Sequence, residues 1–192
     1  MELTQTQAQA WLASFSTTIL DHKAELNELD TAIGDGDHGT NMTRGVTQIQ
    51  TVLQTSLPDL STLLKQVAFA FISKVGGASG PLYGTAFLDM SNAAKQQSAE
   101  LADLIQTGAA GIQRRGQAQV GDKTMLDVWQ PVAQALAANQ LTSQKIDTYL
   151  QATRDLVAKK GRASYLEERS RGHLDPGAQS SDYLFQTLLT VI

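Results

Sequence analysis

The chain has 192 residues and a mass of 20.6 kDa, enough for one sizeable domain and short for two, with a formal charge of −4 and a pI near 5.3. That charge argues against non-specific nucleic-acid binding, and the absence of cysteine excludes a disulfide framework and a thiolate metal site. No apolar run approaches membrane-spanning length, so the expectation is a single cytoplasmic domain over residues 1–192 with no membrane partner.

Ala, Leu and Gln recur throughout and β-branched runs are scarce, which favours helix. Residues 4–29 place Trp11, Phe15 and Ile19 at helical spacing, with Thr4 and Gln7 in capping-box positions. His22 continues that face and is assigned no role. Next comes a stretch in which Asp30, Asp35 and Asp37 fall among Gly34, Gly36 and Gly39. Three carboxylates gathered by a glycine-rich turn repel one another unless a cation neutralises them, and oxygen ligands point to Mg2+ or Ca2+. An EF-hand fails on spacing. Counted from Asp35, the position that should be Glu is Val46, and from Asp30 it is Asn41. The polar residues Thr40, Asn41 and Thr43 then open a second helix, whose free N–H groups would face the same place as the ion and suit a phosphate.

Met42, Val46, Ile49 and Leu53 mark that second helix, which ends before Pro58. Asp59 or Ser61 caps a third, with Leu63, Leu64, Val67 and Phe71 on a broad apolar face. A second glycine cluster follows at residues 76–84, read as a backbone cradle for an anion rather than a linker, because Ser79 and Gly80 would present donors at a helix start near Pro81. On this reading Gly80→Val weakens phosphate binding and leaves helical content unchanged. Helix four runs to about Gln97 and helix five over residues 100–115, where Gly108 and Gly111 suggest close packing.

Residues 116–124 nearly spell a Walker A loop. They are not one, since Asp122 intrudes before Lys123 and no buried strand precedes Gly116. Helix six begins near Thr124, with Pro131 in its early turns, and helix seven is expected over residues 142–160 with Gly161 as its stop. Residues 161–177 lack an apolar period and read as an ordered lid, in which Arg162, Arg169 and Arg171 offer cations for phosphate. A last helix covers residues 180–192. The reading is therefore all-α, with eight antiparallel up-and-down helices in a bundle or closed barrel, and the four suspicious loops sharing one end.

GDGDHGTN at residues 34–41, GGASGPLYGTAF at 76–87, GDKTMLDVWQP at 121–131 and GRASYLEERSRGHLDPGAQS at 161–180 together resemble the nucleotide-binding L subunit (DhaL) of dihydroxyacetone kinases, a module also found as the C-terminal domain of single-chain forms. The resemblance implies an eight-helix closed barrel with ADP or ATP at one end as a bound coenzyme. It implies two Mg2+ ions on Asp30, Asp35 and Asp37, and phosphate contacts from His38, Gly39, Thr40, Asn41, Ser79 and Gly80. Gly116, Met125, Arg162, Asp175, Pro176 and Gly177 would touch the rest of the nucleotide, with Arg162 as a phosphate stabiliser and no protein nucleophile. It further implies a free-standing subunit that works with a dihydroxyacetone-binding K subunit (DhaK) and a phosphohistidine-carrying M subunit (DhaM) that rephosphorylates retained ADP. Two other readings stand beside it, an ATP-dependent kinase subunit with exchangeable nucleotide and a non-catalytic calcium-binding helical module.

Overall fold

The computed structural model describes residues 1–96 and 99–192, and among these it is helical apart from one isolated bridge between Glu2 and Glu100. The described residues form nine α-helices in order: α1 Gln5–Asp21, α2 Lys23–Ile33, α3 His38–Leu53, α4 Leu60–Lys74, α5 Ser79–Gln96, α6 Leu101–Gly116, α7 Leu126–Ala137, α8 Ser143–Ala152 and α9 Pro176–Leu189. The expected end of helix four at Gln97 lies outside the described residues.

Local chemistry sets most of these starts. Thr4 and Gln7 form the full capping box at α1, Asp59 accepts from the Thr62 amide at α4, and Thr142 accepts from Lys145 at α8. At α9 the Asp175 carboxylate caps the Ala178 amide, with Pro176 in the first helical position. This start precedes the expected one at Ser180.

Two further boundaries differ from the sequence reading. The segment expected as one helix over residues 4–29 divides at His22 (φ −102°, ψ 17°), and α2 turns to pack on α3 and α9. The His22 ring lies 4.7 Å from that of Tyr183, and Nδ1 is 2.7 Å from Glu25 Oε2. Helix α8 stops at Ala152 rather than Lys160 and passes into a single 3-10 turn, Thr153–Asp155. The carbonyls that would continue it are turned instead toward Lys123.

Packed neighbours run α1, α3, α4, α5, α6, α7, α8 and α9, and α9 meets α1 again. The interior is filled by Trp11, Phe15, Phe71, Tyr83, Phe87, Trp129 and Phe185, all fully buried. Phe71 stacks on Tyr83 at 4.9 Å and on Phe87 at 5.4 Å, and Trp129 meets Phe185 edge-on at 4.9 Å. A Cβ at Gly108 would lie 2.8 Å from the Trp129 ring and one at Gly111 would lie 2.5 Å from Asp89 Oδ2, so both glycines permit close approach, as their positions suggested. No helix among the described residues is long and apolar enough to cross a membrane.

Candidate functional site

The floor of the site is the turn between α2 and α3. Asp30, near the end of α2, accepts hydrogen bonds at Oδ2 from the amides of Asp37 (2.9 Å) and His38 (3.1 Å), which folds the chain back on itself. Gly34 and Gly36 make that fold possible. A Cβ at Gly34 would sit 2.1 Å from Asp30 Oδ1, and Gly36 has φ +77°. One carboxylate oxygen from each of Asp30, Asp35 and Asp37 then lies within 4.8 Å of the others. Asp30 has its pKa raised by burial, against its two amide donors, and by the charges of Asp35 and Asp37. Asn41 Nδ2 donates to Asp37 Oδ1 at 2.7 Å, and Arg44 in turn donates to Asn41 Oδ1. The donor set is all oxygen and its neighbours leave the cluster open on the cavity side, which fits a hard cation.

Above this floor lies a cavity of about 570 Å³, a size ordinary for small-molecule sites. Its walls come from the four loops expected to share one end. The first residues of α3, α5 and α9 and the residue capping α7 line it, as His38, Ser79, Pro176 and Met125. Four helix starts around one space favour an anionic ligand. Leu82, Ile112, Ala118 and Met125 add an apolar wall.

Asp30, Asp35, Asp37, His38, Asn41, Ser79, Gly116, Met125, Arg162, Asp175, Pro176 and Gly177 are brought together in this lining. Gly39, Thr40 and Gly80 lie outside it. A Cβ at Gly39 would fall 2.1 Å from the Lys23 carbonyl oxygen, and Thr40 accepts from and donates to the Asn27 amide group, so this pair ties α3 to α2. A Cβ at Gly80 would fall 2.2 Å from the Val75 carbonyl oxygen. The glycine is needed there for backbone packing between α4 and α5, and Gly80→Val would disrupt that junction rather than leave the helices untouched.

Behind the lining, Tyr83, Trp129, Ser180 and Ser181 form a polar group that carried no sequence signal of its role. The His38 ring is buried, with Nε2 3.0 Å from Ser180 Oγ and Nδ1 3.3 Å from Ser79 Oγ. Ser180 Oγ is 2.8 Å from the Tyr83 hydroxyl, which is 2.9 Å from Ser181 Oγ, and Trp129 Nε1 donates to Ser181 Oγ at 3.0 Å. A hydrogen-bonded chain thus runs from the cavity into the core. Burial lowers the His38 pKa to about 4, so the ring is neutral and offers a single N–H. Burial likewise raises the Asp175 carboxyl to about 7, although the Ala178 amide opposes this. Tyr83 is pushed up by burial and stays protonated.

Residues 161–177 form an ordered cover. A 3-10 segment, Arg162–Ser170, kinks at Glu167 (φ 50°, ψ −127°) and packs on α2. Arg162 Nε reaches Asp35 Oδ2 at 3.0 Å, spanning the mouth of the cavity. Both partners are exposed, so the pair contributes little stability and much geometry.

An all-helical ring with a carboxylate triad facing several helix starts defines the class: a protein built to hold an anionic ligand together with a hard cation. The chain belongs to the family of the DAK2 domain, whose model matches residues 32–190. It is 49% identical over 186 residues to the ADP-binding subunit DhaL of PEP-dependent dihydroxyacetone kinase 1 from Listeria innocua, covering 95% of this chain and 94% of that one. It is also 49% identical over 183 residues to the ADP-binding subunit DhaL of the PTS-dependent dihydroxyacetone kinase of Lactococcus lactis, covering 95% of each chain. Among solved structures, the dihydroxyacetone kinase of C. freundii in complex with AMP-PNP and Mg2+ superposes with a TM-score of 0.80 at 26% identity. That match covers 99% of this chain and 34% of that one, so the chain spans about a third of the solved neighbour.

Proposed function

We propose that this chain is the ADP-binding subunit of a phosphoenolpyruvate-dependent dihydroxyacetone kinase. In this reading the nucleotide is a coenzyme retained in the cavity. It accepts a phosphoryl group from a phosphohistidine on a DhaM-type partner and passes it to dihydroxyacetone held on a DhaK-type subunit, giving dihydroxyacetone phosphate in the cytoplasm. The observation that carries the reading is the meeting of the Asp30, Asp35 and Asp37 oxygens with four helix starts in one cavity, in a chain so similar over its length to proteins named ADP-binding subunits.

Asp30, Asp35 and Asp37 would hold Mg2+, two ions on this reading, and the metal would supply charge neutralisation at the phosphates. His38, Asn41 and Ser79 stand beside the cluster with donors for phosphate oxygens. Gly39, Thr40 and Gly80 would act behind them by fixing the helix starts. Leu82, Ile112 and Met125 offer an apolar wall for a base, with Gly116 at its edge, while Asp175, Pro176 and Gly177 bring the start of α9 to the same space. Phosphoryl transfer needs alignment and electrostatics more than a protein nucleophile, and the chain's own residues supply both. Arg162, moved from Asp35 to a phosphate, would balance charge and narrow the entrance to water.

The deciding experiment is exchange. Radiolabelled ADP on the purified protein should exchange slowly against excess unlabelled ADP and become ATP when a phosphorylated DhaM partner is added. Fast exchange, with turnover driven by free ATP and DhaK alone, would make the chain an ordinary ATP-dependent kinase subunit.

A further inference from the structure

Lys123, the lysine of the near-Walker sequence, is not available to a phosphate. The residue is 1% exposed, and its ammonium donates to the carbonyl oxygens of His173 (2.5 Å), Thr153 (2.7 Å) and Leu156 (3.2 Å), with Arg154 O at 3.4 Å. An ammonium has three N–H donors, and these carbonyls consume them. Its backbone holds φ +61°, a left-handed conformation unusual for a side chain of this kind, fixed by the Asp127 carboxylate through the flanking Gly121 and Thr124 amides.

The four carbonyls have a common property. Thr153, Arg154 and Leu156 lie where the chain leaves α8, and His173 lies where it returns to enter α9. Between them runs the segment that carries Arg162 across the cavity mouth. The same base has other ties. The Gly172 amide donates to Arg154 O at 2.8 Å, the Ala158 amide to Ser170 Oγ at 2.9 Å and the Lys159 amide to Asp122 O at 3.0 Å. Two exposed cations add to these, Arg154 at 3.4 Å from the Gly172 carbonyl oxygen and Lys159 at 3.6 Å from Asp122 Oδ1, whereas Lys123 is the buried charged tie, and it comes from a third place in the chain, the turn before α7. It also caps the end of α8 from outside, since a helix C-terminus favours a cation.

We propose that Lys123 is a positioning residue for the nucleotide site: its ammonium clamps exit and re-entry of the 153–173 segment and so holds Arg162 over the cavity. This rests on the reading of the cavity as a nucleotide site. Without the ammonium the carbonyls lose a charge-assisted partner, the base of the segment loosens and the cover opens more often.

The test replaces charge while keeping length. Lys123→Met is a neutral near-isostere. Lys123→Cys would give the protein a single cysteine, which can be aminoethylated in denaturant and refolded to restore an ammonium at nearly the original reach. Two rates are read: tryptic cleavage of ligand-free protein after Arg162, Arg169 and Arg171, and dissociation of labelled ADP in the presence of Mg2+. The expectation for Lys123→Met is native helical content with both rates raised about tenfold or more, the loss of one charge-assisted hydrogen bond, and both restored in the aminoethylated protein. Wild-type cleavage in Lys123→Met overturns the proposal, as does faster cleavage with unchanged dissociation. If neutral forms fail to fold and only the aminoethylated form folds, the ammonium holds the whole molecule and the proposal is likewise overturned. A wild-type protein that binds no Mg-ADP would defeat the nucleotide reading, and the cleavage rates would still decide the clamp.

Discussion

The turns at residues 34–37 and 121–124 look alike in sequence, each a glycine and aspartate stretch leading into a helix, and the structure uses them in opposite ways. In the second, Asp127 accepts from Gly121 and Thr124, Asp122 accepts from Gln119, and Lys123 spends its donors on carbonyls. In the first, Asp30 has two amide donors, while Asp35 and Asp37 have one side-chain partner each, Arg162 and Asn41, and keep acceptor capacity toward the cavity. Polar residues with internal partners build a scaffold, and polar residues left short of partners wait for a ligand.

The largest expected effect separates the two turns at once. Asp35→Asn or Asp37→Asn should abolish Mg-ADP binding with little change in the melting of ligand-free protein. In wild type at a hundredfold excess over Kd, Mg-ADP should add about 2.7 kcal/mol of stability by linkage, and calorimetry of the variants should show none of it. Equal melting of wild type with and without Mg-ADP would break the comparison from the other side.

Asp127→Asn inverts the pattern. One oxygen remains for two amides, and the new NH2 group faces a donor, so unfolding in urea should show a loss of about 1–3 kcal/mol. Mg-ADP should still bind the folded variant, with dissociation raised less than in Lys123→Met, because Lys123 loses the support of its turn but keeps its ammonium.

A further effect, read as a slope with pH, sits at Asp175. Its folded pKa near 7 exceeds the unfolded value of 3.8. The neutral carboxyl therefore favours the fold, a contribution fully present below pH 3.8 and lost as pH rises through 7. Asp175→Asn keeps an acceptor for the Ala178 amide and removes the titration, so its stability should fall less than wild type's between pH 4 and pH 7. Parallel curves would remove Asp175 from the account.

The helices were legible because apolar spacing and caps are local, and Thr4, Asp59 and Thr142 each act within three residues. The carboxylate triad was legible because like charges so close need a cation. The end of α8 was not, because apolar spacing continues to Leu156 while the group that ends the helix, the Lys123 ammonium, comes from a distant turn. Gly39 and Gly80 were legible as required glycines and not as packing glycines, since their neighbours, the carbonyls of Lys23 and Val75, are set by tertiary structure. The His38 to Tyr83 chain had no local trace at all, because Ser180 joins it from the far end of the sequence.

That chain also gives the molecule an optical readout. Of its two tryptophans, Trp11 donates to the Leu184 carbonyl within the helix packing, whereas Trp129 ends the path that begins at His38. An anion that reorients the His38 and Ser180 hydrogens changes the field at the Trp129 indole and leaves Trp11 as an internal standard. Unlabelled protein should therefore report occupancy of its own cavity as a shift in emission, a signal that Trp11→Phe should preserve and Ser181→Ala should silence.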